Sequence, residues 1–73
     1  MKEVFITTPF IKLDSFLKLA GDVLSGGNAK EVIVNGEIKV NGEVCTMRGK
    51  KLYDGDTVEG LEGTYVVKNS ENN

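Results

Sequence analysis

The chain has 73 residues, with nine Lys plus Arg against eleven Asp plus Glu, a formal charge of −2, no histidine and one cysteine. A chain this short forms one small domain, burying only about 60% of the surface its unfolded form exposes, and without an imidazole or a second thiolate the common nucleophilic and structural-zinc arrangements are excluded. The negative balance likewise excludes a protein that coats nucleic acid by bulk attraction, so any nucleic acid must be held by a local patch.

The opening, Glu3-Val4-Phe5-Ile6-Thr7, is rich in β-branched and aromatic residues and predicts a strand ended by Pro9. Phe10, Leu13, Leu17 and Ala20 then recur at helical spacing with Gly21 as a stop. A first helix is therefore expected to begin between Pro9 and Leu13 and to run to Ala20. On its outer face Asp14 and Lys18 stand four apart with the acid first, the order that favours a surface pair. Asp22-Val23-Leu24 is a short link that packs a second helix against the first. Ser25 is the expected N-cap of that helix, Ala29, Val32 and Ile33 mark its buried stripe, and Gly36 ends it in a left-handed conformation. Gly26 and Gly27 leave its first backbone N–H groups unshielded, and such an end attracts anions.

Glu37-Ile38-Lys39-Val40 alternates polar with apolar, Asn41-Gly42 is a strong hairpin signal, and Glu43-Val44-Cys45-Thr46 is expected to return antiparallel. Cys45 reads there as a half-buried small hydrophobe. Met47-Arg48-Gly49-Lys50-Lys51 carries three positive charges with no acid, and four acids follow between Asp54 and Glu62. This segregation lets a basic loop present a local positive field on an acidic chain. Leu52 to Asp56 contains a turn, Thr57-Val58-Glu59 a short strand, and Thr64 to Lys68 a last strand with Tyr65 and Val67 on one face. Asn69 to Asn73 is expected to fray. No run approaches the ~20 apolar residues of a membrane span, and Met1-Lys2-Glu3 leads into no apolar signal core, so a cytoplasmic protein is expected. Asp54 and Asp56 flank a turn glycine with no third ligand in view, which argues against metal or acid-base chemistry.

The succession Lys12-Leu13-Asp14, Ser25, Ala29-Lys30 ending at Gly36, Val40-Asn41-Gly42 and Gly55-Asp56 resembles the S-four domain. This small RNA-binding module, the alpha-L motif, is known from a ribosomal small-subunit protein, pseudouridine synthases, tyrosyl-tRNA synthetases and heat-shock RNA-binding proteins. The resemblance covers residues 10 to 60 of an expected single domain. Phe16 to Gly21, Ser25 to Lys30 and Arg48 to Leu52 look like the small stand-alone bacterial members of the YaaA type.

The resemblance implies an α+β fold, with two packed helices against a small, mainly antiparallel sheet and RNA held on the helices and hairpin. On this reading Lys30, Arg48, Lys50 and Lys51 supply the principal phosphate contacts. Ser25, Gly26 and Gly27 present helix amides to one phosphate, and Lys12 and Lys39 broaden the patch. Asn41 is a further candidate that its turn also explains. Gly26 stands where the wider family carries arginine after serine, and Lys12 where many members carry arginine; both changes remove a guanidinium able to grip phosphate in a bidentate way. The implied partner is structured RNA, ribosomal RNA ahead of tRNA, bound by a monomer that uses no cofactor, metal or small-molecule substrate and catalyses nothing. The competing reading is a protein-docking module without RNA binding, whose partner would use the acidic run from Asp54 to Glu62.

Overall fold

The computed structural model describes residues 1–70. In chain order the described elements are β1 (Lys2–Ile6), β2 (Ile11–Lys12), α1 (Leu13–Leu19), α2 (Gly26–Val34), β3 (Lys39–Val40), β4 (Glu43–Val44), β5 (Lys51–Leu52), β6 (Thr57–Glu59) and β7 (Thr64–Asn69). Five strands form a sheet in the order β1-β7-β6-β3-β4, antiparallel except for the parallel β1–β7 pair, and β2 and β5 form a separate antiparallel ribbon. The fold is α+β, as expected.

The alternating apolar rows of the strands meet the apolar stripes of both helices in one core. Val4, Ile6, Val58, Tyr65 and Val67 come from the sheet, Leu13, Phe16 and Leu17 from α1, Ala29, Val32 and Ile33 from α2, and Leu52 from the ribbon. Each large aliphatic side chain buried in this way is worth about 1.5–3 kcal/mol. Cys45 packs partly buried against this core, as expected.

Both helices stop by the same device. Gly21 and Gly36 take positive φ, 77° and 78°. After α1, the Gly21 and Asp22 N–H groups bond back to the Lys18 and Leu17 carbonyls; after α2, the Gly36 and Glu37 N–H groups bond to Ile33 and Val32. These paired bonds satisfy carbonyls that a helix end leaves open. Asn41 and Gly42, with φ of 52° and 86°, make the expected two-residue hairpin between β3 and β4.

Three expectations fail at particular residues. Phe10 is not on the first helix, because the two residues after it are drawn into β2 and α1 begins at Leu13, the late end of the expected range. The basic segment does not remain a loop: Lys51 opens β5 and pairs with Lys12. Fraying does not begin at Asn69, whose N–H donates to Asp54 Oδ1 at 2.8 Å, and the Ser70 N–H donates to the Ile6 carbonyl at 3.0 Å. The fraying expected of residues 71–73 lies outside the described residues.

The loop before α2 is held by Asp22, only 6% exposed. Its carboxylate accepts from the Leu61 N–H (2.8 Å), the Glu62 N–H (2.7 Å) and the Tyr65 hydroxyl (2.7 Å), so the turn from α1 is fastened to the turn before β7. Gly60 is required by this closeness, since a Cβ there would lie 2.5 Å from Asp22 Oδ2. Burial, the Asp22 hydrogen bond and the nearby Asp22 and Glu62 charges push the Tyr65 phenol up to about 12. A tyrosine that keeps its proton more tightly when folded stabilises the fold below its unfolded pKa of about 10, and this contribution is lost as pH rises from there through about 12.

Urea denaturation will therefore show Gly60→Ala destabilised by roughly 1–3 kcal/mol. Tyr65→Phe will lose about 1.5–3 kcal/mol at neutral pH, having lost a hydrogen bond to a charged group. Between pH 10 and 12 this variant will also lose stability less steeply than the parent, because residue 65 no longer titrates.

Candidate nucleic-acid interface

The N-terminus of α1 has no side-chain cap, since Lys12 occupies the cap position. Its first three amides find acceptors elsewhere. Leu13 N–H donates to the Lys50 carbonyl (2.9 Å), Asp14 N–H to the Arg48 carbonyl (3.1 Å) and Ser15 N–H to Asp14 Oδ1 (2.7 Å). These bonds fasten the backbone of the basic segment to the start of α1. Next to them the β2–β5 register sets Lys12 directly opposite Lys51 and Ile11 opposite Leu52. Because side chains alternate across a strand, Ile11 and Leu52 turn to the core while the two lysines turn to solvent. The structure thus collects Lys12, Arg48, Lys50 and Lys51 in one place, all four exposed.

The N-terminus of α2 has the opposite character. Ser25 is its N-cap, and Ser25 Oγ accepts from the Asn28 N–H at 3.1 Å. The amides of Gly26 and Gly27 occupy the first two helical positions, which have no intrahelical acceptor. They carry no Cβ, and a Cβ on either would approach nothing closer than 3.9 Å. The nearest atom to such a Cβ on Gly26 is Lys18 Nζ. The Asp14 carboxylate accepts from the Ser15 N–H, and the Lys18 ammonium stands beside the start of α2 on the side where a Gly26 Cβ would lie. Lys30 is exposed one turn further along α2.

The two hairpin candidates are less well placed. Lys39 stands across the sheet from Val44 on one side and from Glu59 on the other, so an acid faces it. The Asn41 side chain is engaged within the fold: its oxygen accepts from the Thr57 N–H (2.9 Å) and hydroxyl (3.3 Å), and its amide donates to Asp56 Oδ1 (3.2 Å). These bonds and its positive φ account for Asn41 without a ligand. A groove lined by Asn41, Val44, Met47 and Lys50 joins the hairpin to the basic segment.

Sequence reasoning missed three residues that the structure adds. Lys18 was assigned to a surface pair, and only the packing of the helices brings it to Gly26. Phe10 and Tyr53 extend the ribbon outward, their ring centroids 6.0 Å apart, with Lys51 Nζ 4.9 Å from the centre of the Phe10 ring. The signal for the last two is the mirrored pair of triplets Phe10-Ile11-Lys12 and Lys51-Leu52-Tyr53.

Comparison with known proteins identifies this arrangement. Residues 4–68 match the family model described as S4 domain, so the chain belongs to the S4 domain family. It is 48% identical over 60 residues to the probable ribosome maturation protein RlbA of Bacillus subtilis (strain 168), a match spanning 82% of this chain and 83% of that protein. It is also 42% identical over 50 residues to the putative RNA-binding protein YbcJ of Escherichia coli (strain K12), spanning 68% of this chain and 71% of that one.

The two duties of Ser25 separate by substitution. Aspartate caps a helix about as well as serine, so Ser25→Asp will keep thermal stability within ~0.5 kcal/mol of the parent. It places a carboxylate where an anion would meet the Gly26 and Gly27 amides, and RNA affinity measured by fluorescence anisotropy will fall severalfold.

Proposed function

We propose that this protein is a non-catalytic, cytoplasmic RNA-binding module that acts as a single-domain monomer and grips structured RNA, with ribosomal RNA or an assembling ribosomal particle as its target. Membership of the S4 family and the names of the two relatives support RNA as the partner class. The observation that carries the assignment to this surface is electrostatic. Lys12 and Lys51 face each other across the ribbon, and the Lys50 and Arg48 carbonyls bond the first amides of α1. Like charges directly opposite weaken a strand pair, and cations are unfavourable at the positive end of a helix. Such a cluster is stabilised when a polyanion lies across it.

An A-form duplex displays phosphates and 2′-hydroxyls on an accessible surface, so cations and exposed amides can read its shape. Lys12, Arg48, Lys50 and Lys51 then contact one stretch of backbone. Gly26 and Gly27, with Lys18 and Lys30, receive a phosphate at the start of α2, and the Ser25 hydroxyl, an acceptor within the cap, is free to donate its proton to the same group. Lys39 lies at the margin. The docking reading through the acidic run has less support, because Asp54 and Asp56 accept internal hydrogen bonds from Asn69, Tyr53 and Asn41.

Neutralising about three to five phosphates gives a log-log slope of affinity against salt of roughly −2 to −4, which titration with a structured RNA will measure; a flat dependence overturns the reading. In cells, crosslinking and sequencing will recover a structured RNA with the parent protein and lose it with a folded variant charge-reversed at Lys30, Arg48, Lys50 and Lys51. Recovery of no RNA above background by the parent protein returns the docking reading.

A further inference from the structure

The outer face of the β2–β5 ribbon carries more than cations. Just beyond the pairs Lys12–Lys51 and Ile11–Leu52, the Phe10 and Tyr53 rings meet at 6.0 Å with an interplanar angle of 46°. Two lysines and two aromatic rings thus share one surface, while Ile11 and Leu52 face the core. Tyr53 is 50% exposed although it stands beside a well-packed domain.

The turn that presents Tyr53 is held from several directions. Tyr53 N–H donates to Asp56 Oδ2 at 2.8 Å, and Asp56 N–H returns a bond to the Tyr53 carbonyl at 3.0 Å. Gly55 N–H bonds the Val67 carbonyl, Asp54 Oδ1 accepts from Asn69, and Asp56 Oδ1 accepts from Asn41. On the other strand, the Thr8 hydroxyl bonds the Phe10 carbonyl at 2.7 Å. A turn tied at so many points does not fold a large ring away from water. Phe10 already has an ammonium over its face, from Lys51, so Tyr53 has the available ring surface.

We propose that Tyr53, backed by Phe10 and bordered by Lys12 and Lys51, is a stacking seat for an unpaired base of the bound RNA. The inference rests on the RNA-binding reading above and deepens it: the preferred target is a helix with a bulged, looped or frayed nucleotide beside it. The chemistry matches in both parts. A base offers a π-face to the phenol, and its own phosphates lie within the field of the flanking lysines. The ordered turn reduces the entropy lost on binding. Base–aromatic stacking is sequence-tolerant, because every base has such a face.

The test uses two RNA probes of equal phosphate number, a blunt duplex and a stem closed by a loop of unpaired nucleotides. The parent protein will bind the looped stem more tightly. Stacking energies of the usual size mean that Tyr53→Ala lowers affinity for the looped stem by roughly 5- to 150-fold, with the duplex affinity and the salt slope unchanged. Tyr53→Phe keeps the ring and will retain the preference, and circular dichroism will check that both variants fold. A 2-aminopurine placed in the loop will lose fluorescence on binding the parent and not on binding Tyr53→Ala. Equal binding of both probes by the parent, or equal loss on both with Tyr53→Ala, overturns the stacking seat and leaves the RNA-binding reading standing. Failure of the parent to bind either probe at low salt overturns the RNA-binding reading and this inference with it.

Discussion

The hydrogen bonds from the Leu13 and Asp14 amides to the Lys50 and Arg48 carbonyls hold the candidate interface in place. A helix start with no side-chain cap needs acceptors, and α1 takes them from a segment far along the chain. This one requirement positions the basic residues, since carbonyls that complete the helix must bring their own side chains with them. It also fixes the distance between β2 and β5, and so the register that sets Lys12 beside Lys51 and Phe10 beside Tyr53. The first amides of α1 are consumed in this assembly, whereas those of Gly26 and Gly27 on α2 remain open. The two helix ends consequently do different work, one structural and one available to an anion.

Asp22 performs a related function at the other end of α1. Its buried carboxylate meets two amides and a phenol, so its charge is matched by three donors, as a buried charge requires. It fixes where α1 ends relative to β7. The direction of the short link to α2, and with it the approach of Lys18 to Gly26, follows from that anchor. Stability and the geometry of the candidate site are therefore coupled through a residue that touches no ligand.

The parts of this structure that were legible in sequence are those with local causes. Ser25, Gly21, Gly36 and the Asn41-Gly42 turn act through their own backbone preferences, and each ends or begins an element where expected. The ribbon was hidden because its strands have two residues each, too short for a period of their own. Phe10 also happens to fall in helical phase with Leu13 and Leu17, which disguised its role. Asp22 read as part of a short link because its partners lie some forty residues later. The candidate cations were readable as residue types, but their grouping was not: Lys18 joined through the angle between the helices, and Lys39 stood apart because Glu59 is its cross-strand neighbour.

The parallel pairing of β1 with β7 places Lys2 beside Tyr65 and Ile6 beside Asn69. The first strand of the sheet therefore has its only neighbour among the last described residues. Until β7 is in place, β1 has no strand partner among the described residues, and Val4 and Ile6 lack their pairing with Val67 and Asn69. Closing the longest loop in the chain is entropically slow relative to the local helices and turns. Of the sheet's pairings, β1 with β7 therefore carries the largest loop-closure cost.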